Sequence, residues 1–331
     1  MKDDVFIKTN YIPQPWLRIP HVQTILASLR VRNIRKRSML DISKTIIVEA
    51  GDGVRLLGYQ AQQDSRSSKG QIIFLHGWEG STESAYIVSA AHYFFHRGFD
   101  VFRLNLRDHG ESHHLNEGLF HGALLDETFA AVKNIAQMLP GSPCYLVGYS
   151  LGGNFALRIA AKHDRAQFPF LKQVFAVSPV LDPYKSTAAL DRNCSLYRHY
   201  FLHKWKRSLR RKQDLFKDKY DFSRLLNMKS CLAMTEIMVA DHTGFADLHD
   251  YFGRYTLHRN WFENLSLPVT VIVAADDPLI DLMDFIKLER CPQLTLKIER
   301  YGGHCGFFSD WALRCWAEEE IGRRLSKESP G

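Results

Sequence analysis

Pro143-Cys144-Tyr145-Leu146-Val147-Gly148-Tyr149-Ser150-Leu151-Gly152-Gly153-Asn154-Phe155-Ala156-Leu157-Arg158-Ile159-Ala160-Ala161 decides the fold. Its first five residues form a short apolar run with aromatic and β-branched side chains, which reads as a buried strand. From Asn154 onward the apolar residues are spaced for a helix. Between the two lies Gly148-Tyr149-Ser150-Leu151-Gly152, a G-x-S-x-G sequence. Strand, G-x-S-x-G, helix is the setting of a nucleophile elbow, in which a serine stands on a strained turn and projects its hydroxyl from the top of a sheet. Glycines two residues to either side leave room where a Cβ would clash. Alone, the pentapeptide also fits a tight strand-to-helix turn without chemistry, so its meaning rests on partners elsewhere in the chain.

A serine hydroxyl is a weak nucleophile near neutral pH. It needs a base, and the base needs an orienting acid. For an elbow serine these partners follow in the order acid, then histidine. Val269-Thr270-Val271-Ile272-Val273-Ala274-Ala275 is a strong strand run, and it ends in Asp276-Asp277-Pro278-Leu279-Ile280. Either carboxylate fits. Pro278 biases the residue before it toward extended geometry, which favours Asp277 and leaves Asp276 to cap the helix expected from Ile280-Asp281-Leu282-Met283. Leu294-Thr295-Leu296-Lys297-Ile298 alternates with period two and leads into Glu299-Arg300-Tyr301-Gly302-Gly303-His304-Cys305-Gly306-Phe307. His304 lies 27 residues beyond Asp277 among three glycines, and in a chain with 15 histidines this position marks it as the base. Gln71-Ile72-Ile73-Phe74-Leu75 is another strand run, opening into His76-Gly77-Trp78-Glu79-Gly80-Ser81. The backbone N–H groups of Trp78 and Leu151 are the expected oxyanion hole, and His76 is expected to brace its loop.

Length and composition bound the rest. At 331 residues the chain exceeds the ~250–300 at which one core stops growing, so one large domain with a sizeable insertion is expected. Apolar content of 45% and charged content of 24% are ordinary for a soluble protein. No apolar run approaches the ~18 residues of a membrane span. Met1-Lys2-Asp3-Asp4-Val5 lacks the basic-then-apolar layout of a signal peptide. Six scattered cysteines without C-x-x-C spacing argue against zinc and against a disulfide scaffold, so a cytoplasmic protein without metal or organic cofactor is expected. A net charge of +7 and an isoelectric point near 9.0 favour acidic partners or membrane surfaces.

Strand and helix patterns alternate along the chain. Thr45 to Glu49 and Val54 to Tyr59 flank Gly51-Asp52-Gly53, a hairpin signal. A helix over Ala85 to His96, a strand over Val101 to Leu106 and a helix over Ala123 to Leu139 precede the elbow. The strand Val174 to Val177 follows it, and Trp311 to Leu325 is the expected closing helix. Alternation of this kind implies a mostly parallel, doubly wound α/β sheet. About ninety residues separate the strand ending near Ser178 from that beginning near Val269, far more than an ordinary connection. They read as a helical cap inserted between the sixth and seventh core strands. The expected organisation is a packed N-terminal segment (1–40), a first core part (41–180), a helical cap or lid (181–265) and a second core part (266–331). Within the cap, Leu196 to Lys212 places Leu196, Tyr200 and the pair Phe201/Trp205 on one stripe, surrounded by cations. A solvated helix packed on the domain and a peripheral contact with an anionic membrane surface both fit that stretch. Nucleic-acid binding has no motif to support it.

Several stretches together resemble the YheT-like branch of the α/β-hydrolases, a group of bacterial proteins counted among the esterases, with membrane-anchored eukaryotic relatives. They are Pro15-Trp16-Leu17-Arg18-Ile19-Pro20-His21-Val22-Gln23-Thr24, His76 to Ser81, Gly148 to Gly153, Asp276-Asp277-Pro278, Gly302-Gly303-His304, and Thr243 to Asp247 through Asp250-Tyr251-Phe252. The likeness runs from about residue 11 to 325. It implies an α/β-hydrolase fold and a charge-relay triad of Ser150, Asp277 and His304 hydrolysing carboxylic esters; some eukaryotic relatives act on phospholipids. Two stretches depart from the family pattern. Arg107-Asp108-His109-Gly110-Glu111-Ser112 replaces an Arg-Gly-Cys-Ser-Gly run, and Cys305 stands where leucine is common. Both bear on substrate preference. The membrane anchor of the eukaryotic relatives has no counterpart in the sequence.

The residues thus point to a serine carboxylic-ester hydrolase acting on a small ester or a lipid-like substrate. A thioesterase would use the same machinery with another leaving group. A non-catalytic hydrolase-fold protein would bind a lipid or acidic partner through the basic cap. Acyl length and oligomeric state are not legible in the residues.

Overall fold

The apolar runs become strands because each is bounded by residues that cannot extend it, and the alternating side chains within each strand build two cores. In the computed structural model, which describes residues 11–29, 37–64, 68–166, 168–193 and 195–328, eight strands form one sheet in the order β1-β2-β4-β3-β5-β6-β7-β8. They are β1 (Lys44–Glu49), β2 (Arg55–Ala61), β3 (Gln71–Leu75), β4 (Asp100–Leu104), β5 (Cys144–Tyr149), β6 (Leu171–Val177), β7 (Val269–Ala274) and β8 (Leu294–Glu299). The β1–β2 and β2–β4 pairs are antiparallel, and every neighbouring pair from β4 across to β8 is parallel.

Period-two alternation sends Ile73, Leu146, Ala176 and Val271 to one face and Ile72, Val147, Phe175 and Ile272 to the other. On the first face they meet α4 (Leu125–Gln137) and α5 (Leu151–Lys162). On the second they meet α3 (Ala85–Phe95) and α12 (Trp316–Glu328). Parallel strands covered on both faces are buried throughout, as β3, β4, β5 and β7 are. Each fully buried aliphatic or aromatic side chain stabilises the fold by about 1.5–3 kcal/mol.

The N-terminal segment carries a 3-10 turn over Pro15–Arg18 and then α1 (Pro20–Ser28), and α2 (Arg37–Asp41) precedes β1. Five helices lie between β6 and β7: α6 (Pro183–Asn193), α7 (Ser195–Leu215), α8 (Ser223–Leu226), α9 (Cys231–His242) and α10 (Leu248–Gly253). A short α11 (Leu282–Ile286) joins β7 to β8. No helix among the described residues is long and apolar enough to cross a membrane.

Two expectations need correction. The closing helix begins at Trp316, not Trp311. Asp310 accepts the N–H of Arg314 through Oδ1 (3.2 Å), Leu313 turns through a left-handed φ of 54°, and Phe308 bridges to Cys315, so residues 311–315 form a turn instead. Trp311 stacks on Trp16 of the N-terminal segment, a contact invisible to local periodicity. In α7 the buried stripe is Tyr197, Leu202, Trp205, Leu209 and Lys212, while Leu196 and Tyr200 are 58% and 42% exposed. Packing one position round the helix from the expected stripe is affordable only because Lys212 finds buried acceptors. Met1 to Val5, Cys194 and part of the 1–40 segment lie outside the described residues.

Candidate active site

β5 ends at Tyr149 and α5 begins at Leu151, so Ser150 alone makes the turn, at φ 54° and ψ −117°. An L-residue at positive φ is strained and persists only where its surroundings enforce it. Here the surroundings are the flanking glycines. A Cβ on Gly148 would sit 2.2 Å from the Gly152 carbonyl oxygen, and one on Gly152 would sit 2.3 Å from that of Leu75. The helix can therefore double back against β5 and β3 only without those side chains. The Ser150 N–H donates to the Val177 carbonyl (2.9 Å), and its own carbonyl accepts from Asn154 (3.0 Å), which pins the turn from both sides.

The structure brings Ser150, His304 and Asp277 into one hydrogen-bonded file. His304 Nδ1–H donates to Asp277 Oδ2 at 2.8 Å, and the Ser150 hydroxyl donates to His304 Nε2 at 2.9 Å. A carboxylate only accepts, so this partner assigns the Nδ1–H tautomer and leaves Nε2 free to take a proton. Asp277 Oδ1 is held separately by the N–H groups of Leu279 (2.9 Å) and Ile280 (3.2 Å). The His304 and Asp277 side chains are 11% and 2% exposed. Burial by itself disfavours the imidazolium, but the adjacent Asp277 carboxylate outweighs it and holds the His304 pKa well above its usual value.

Asp276 does not cap the following helix. Asp281 does so, accepting the Met283 N–H at 2.9 Å. Asp276 instead accepts the N–H of Gly303 (2.9 Å) and so braces the loop that carries the histidine. Burial, partly offset by that N–H, pushes its carboxyl up to about 6.

The histidine loop is also held from the far end of the chain, which local patterns could not reveal. Thr24 Oγ1 accepts the His304 N–H at 2.9 Å and donates to the Pro20 carbonyl. Gln23, fully buried, accepts the Phe308 N–H through Oε1 (2.8 Å). Its Nε2 reaches the carbonyls of Leu17 (2.8 Å) and Phe308 (3.1 Å) and the Tyr11 hydroxyl (3.0 Å). Gly303, at φ 53°, fits under α1 because a Cβ there would stand 2.4 Å from the Pro20 carbonyl oxygen. The signal available in the sequence was the Pro15 to Thr24 stretch, whose role only the contacts reveal.

Trp78 and Leu151 border the space beside Ser150. Leu151 is the first residue of α5, so its N–H has no acceptor within the helix. Trp78 and Glu79 are the central residues of a turn closed by the Gly80 N–H on the Gly77 carbonyl (2.9 Å), with Glu79 at a left-handed φ of 53°. Two buried neutral histidines shape that turn. His76 donates from Nδ1 to the Gly77 carbonyl (2.8 Å) and accepts the Leu106 N–H at Nε2 (3.1 Å). His109 donates to the Arg107 carbonyl (2.7 Å) and accepts the Glu79 N–H at Nε2 (3.2 Å). Burial pushes the pKa of His109 down to about 4 and that of His76 well below its usual value. His109 belongs to the stretch that departs from the family pattern, and its structural role was not evident from sequence.

A cavity of about 890 Å³ opens beside Ser150 and His304, within the size range of small-molecule sites. A second space of about 100 Å³ meets it at the same two residues. The Trp78 indole stacks on Phe201 (5.4 Å between centroids) and sets its edge against Trp205 (5.1 Å), so α7 roofs the loop that carries the candidate oxyanion donor. Lys204, Arg207 and Arg211 of α7 line the larger cavity. Of the cations expected around the stripe, Lys204, Arg207 and Arg211 thus reach the site, whereas Arg210 is exposed and does not line the cavity.

A model of the alpha/beta hydrolase fold family matches residues 70–310. Among named relatives, YheT of Escherichia coli strain K12, provisionally named an esterase, is 24% identical over 94% of this chain and 92% of its own. Phospholipase ABHD3 of Mus musculus is 22% identical over 93% of this chain and 76% of its own. Monoacylglycerol lipase of Saccharomyces cerevisiae is 22% identical over 79% of this chain and 60% of its own. Among solved structures, the Pyrococcus furiosus esterase Pf2001 superposes with a TM-score of 0.58 at 15% identity, covering 86% of this chain and 90% of that one; at that identity the likeness speaks for the fold. With this strand order and a family match over most of its length, the chain belongs to the alpha/beta hydrolase fold family.

Proposed function

We propose that the protein is a serine hydrolase of carboxylic esters in which Ser150 is the nucleophile, His304 the base and Asp277 its orienting acid. The observation that carries this reading is the unbroken file from Asp277 Oδ2 through His304 to Ser150 Oγ. Ser150 Oγ bonds to the acyl carbon while its proton passes to His304 Nε2. The Asp277 carboxylate holds the imidazole in register and stabilises the imidazolium. Charge developing on the acyl oxygen is met by the backbone N–H groups of Trp78 and Leu151. The C–O bond to the alcohol then breaks, and the alcohol leaves with the proton from Nε2. Water attacks the acyl-enzyme with His304 again as base, releasing the acid and restoring Ser150. One ester and one water become one acid and one alcohol, and the scheme uses no metal or organic cofactor.

Relatives named phospholipase and monoacylglycerol lipase make short acyl esters and lipid-like esters the first substrates to try. A thioester with the same acyl group would pass through the same steps. Cys144, Cys231, Cys291 and Cys305 are free thiols, which suits a cytoplasmic protein. The helical insertion serves in this reading as the cap over the nucleophile. We assign the cations of α7 to the cavity rather than to a membrane surface, because Lys204, Arg207 and Arg211 line it.

Labelling with a fluorophosphonate tests the reading, because only an activated serine reacts. The wild type should label at Ser150. Ser150→Ala should lose both labelling and ester turnover, the latter by on the order of 10⁶. Full labelling of the alanine variant would transfer the role to another serine and overturn the proposal.

A further inference from the structure

The two spaces that meet at Ser150 differ in chemistry. The smaller is bounded by Leu151, Val180, Leu190, Met238 and Phe252, a nearly uncharged wall. The larger carries the charge, and its ion pairs do not balance. Of the four carboxylates on its wall, three are already engaged: Glu83 with Arg103 (2.7 Å), Asp108 with Lys212 (2.7 Å) and Glu111 with Arg211. The fourth, Glu79, is left to face two cations of α7, Lys204 and Arg207. Neither cation has a carboxylate within ion-pair distance among the described residues. Lys204 donates only to the Tyr200 hydroxyl (3.2 Å).

We propose that Lys204 and Arg207 form a subsite for an anionic group, phosphate or carboxylate, on the alcohol half of the ester, while the small apolar pocket takes a short acyl chain. The inference rests on the ester-hydrolase reading above and adds its substrate class. Hydrocarbon laid against the two cations would strip their hydration and return nothing, whereas an anion replaces lost water with charge-assisted hydrogen bonds. The acyl chain therefore belongs on the uncharged side. Glu79 follows Trp78 directly and holds a left-handed backbone that glycine or asparagine would adopt at less cost. Its charged and titratable neighbours are Lys204 and Arg207 from α7, and Asp108 and His109 from the loop after β4. Desolvation of the partly buried Glu79 pushes its carboxyl up to about 8, against the pull of both cations, so near neutral pH it compensates them only in part. Above pH 8 it ionises and competes with the ligand, and preference for an anionic ester should fall.

The test compares 1-butyrylglycerol 3-phosphate with 1-butyrylglycerol, which share an acyl group and differ only in the phosphate on the leaving alcohol. The wild type should favour the phosphorylated ester by roughly tenfold or more in kcat/KM, chiefly through KM. Lys204→Gln with Arg207→Gln should bring that ratio close to one. Arg207→Lys should retain most of it, and Arg210→Gln, outside the cavity, should leave it at the wild-type value. Isothermal titration of the phosphorylated ester into Ser150→Ala reads the same subsite as a Kd, without turnover. The palmitoyl analogue presented in vesicles separates a lipid from a soluble ester. A wild-type ratio at or below one, a ratio unmoved in the double glutamine variant, or preference for the palmitoyl analogue would each overturn the proposal. Absence of turnover of both esters together with absence of Ser150 labelling would sink the hydrolase reading instead, and the titration would still decide the anion subsite.

Discussion

Two neighbouring carboxylates, Asp276 and Asp277, do different work because one oxygen of Asp277 reaches His304 and none of Asp276 does. Asp277→Asn should lower turnover by roughly 10³–10⁴, since an amide can hold the wrong imidazole tautomer. Asp276→Asn keeps an acceptor for the Gly303 N–H and should cost at most about tenfold. Steady-state kinetics of the two variants checks this, and the reverse order would give the orienting role to Asp276. The pH profile offers a second reading. The proposed mechanism needs neutral His304, and its pKa lies well above the usual value because of Asp277. The acidic limb of kcat/KM should therefore lie above about 6.5. Removing the carboxylate leaves burial, which acts in the opposite direction, so Asp277→Asn should move that limb to lower pH. A limb that stays in place would show that another group sets it.

α7 is fastened to the core by a buried lysine. Lys212, 1% exposed, donates to Asp108 Oδ1 (2.7 Å) and to the carbonyls of Asn116 (2.6 Å) and Gly118 (3.1 Å). Asp108 Oδ2 accepts the Phe120 N–H at 2.9 Å, so the pair organises the whole loop after β4. Burial lowers the Lys212 pKa and raises that of Asp108, each toward its neutral form, although the pairing opposes both shifts. Removing one partner strands the other. Lys212→Met should destabilise the fold by about 3–5 kcal/mol, and adding Asp108→Asn should recover a large part of that. Urea unfolding of the two variants measures it. Equal stability of the single and double variants would show that the pair is not coupled. In the sequence Lys212 is one more cation around the stripe, because a lysine by itself gives no hint of the three oxygens that bury it.

At the scale of the whole molecule, segments far apart in the chain meet at the site. Thr24 holds the His304 N–H across 280 residues, and Gln23 ties α1 to Phe308. Thr24→Val keeps the shape and removes the acceptor, so the histidine loop loses the anchor at His304 itself. The anchors on either side remain, Asp276 on the Gly303 N–H and Ser178 Oγ on the Cys305 N–H (3.1 Å). Turnover of a neutral short ester should fall by roughly tenfold with KM little changed. Stability in urea should change by only about 1 kcal/mol. A large loss of stability with normal turnover per folded molecule would mean that α1 merely packs against the core.

What the sequence by itself determined was local or regularly spaced: the elbow, whose glycines answer a steric demand within five residues; the strands, whose alternation follows from the pleat; and Asp277 and His304, each just beyond a strand run. A parallel sheet brings its strand ends to one edge, so residues far apart in the chain meet once the order of strands is known. What only the tertiary structure decided was which side chains share a cavity and which charges cancel. The roles of Gln23, Thr24 and His109, the burial of Lys212 and the excess of Lys204 and Arg207 over Glu79 depend on contacts between segments up to 285 residues apart. No periodicity records such contacts, because hydrogen bonding and charge compensation act through distance in space and not along the chain.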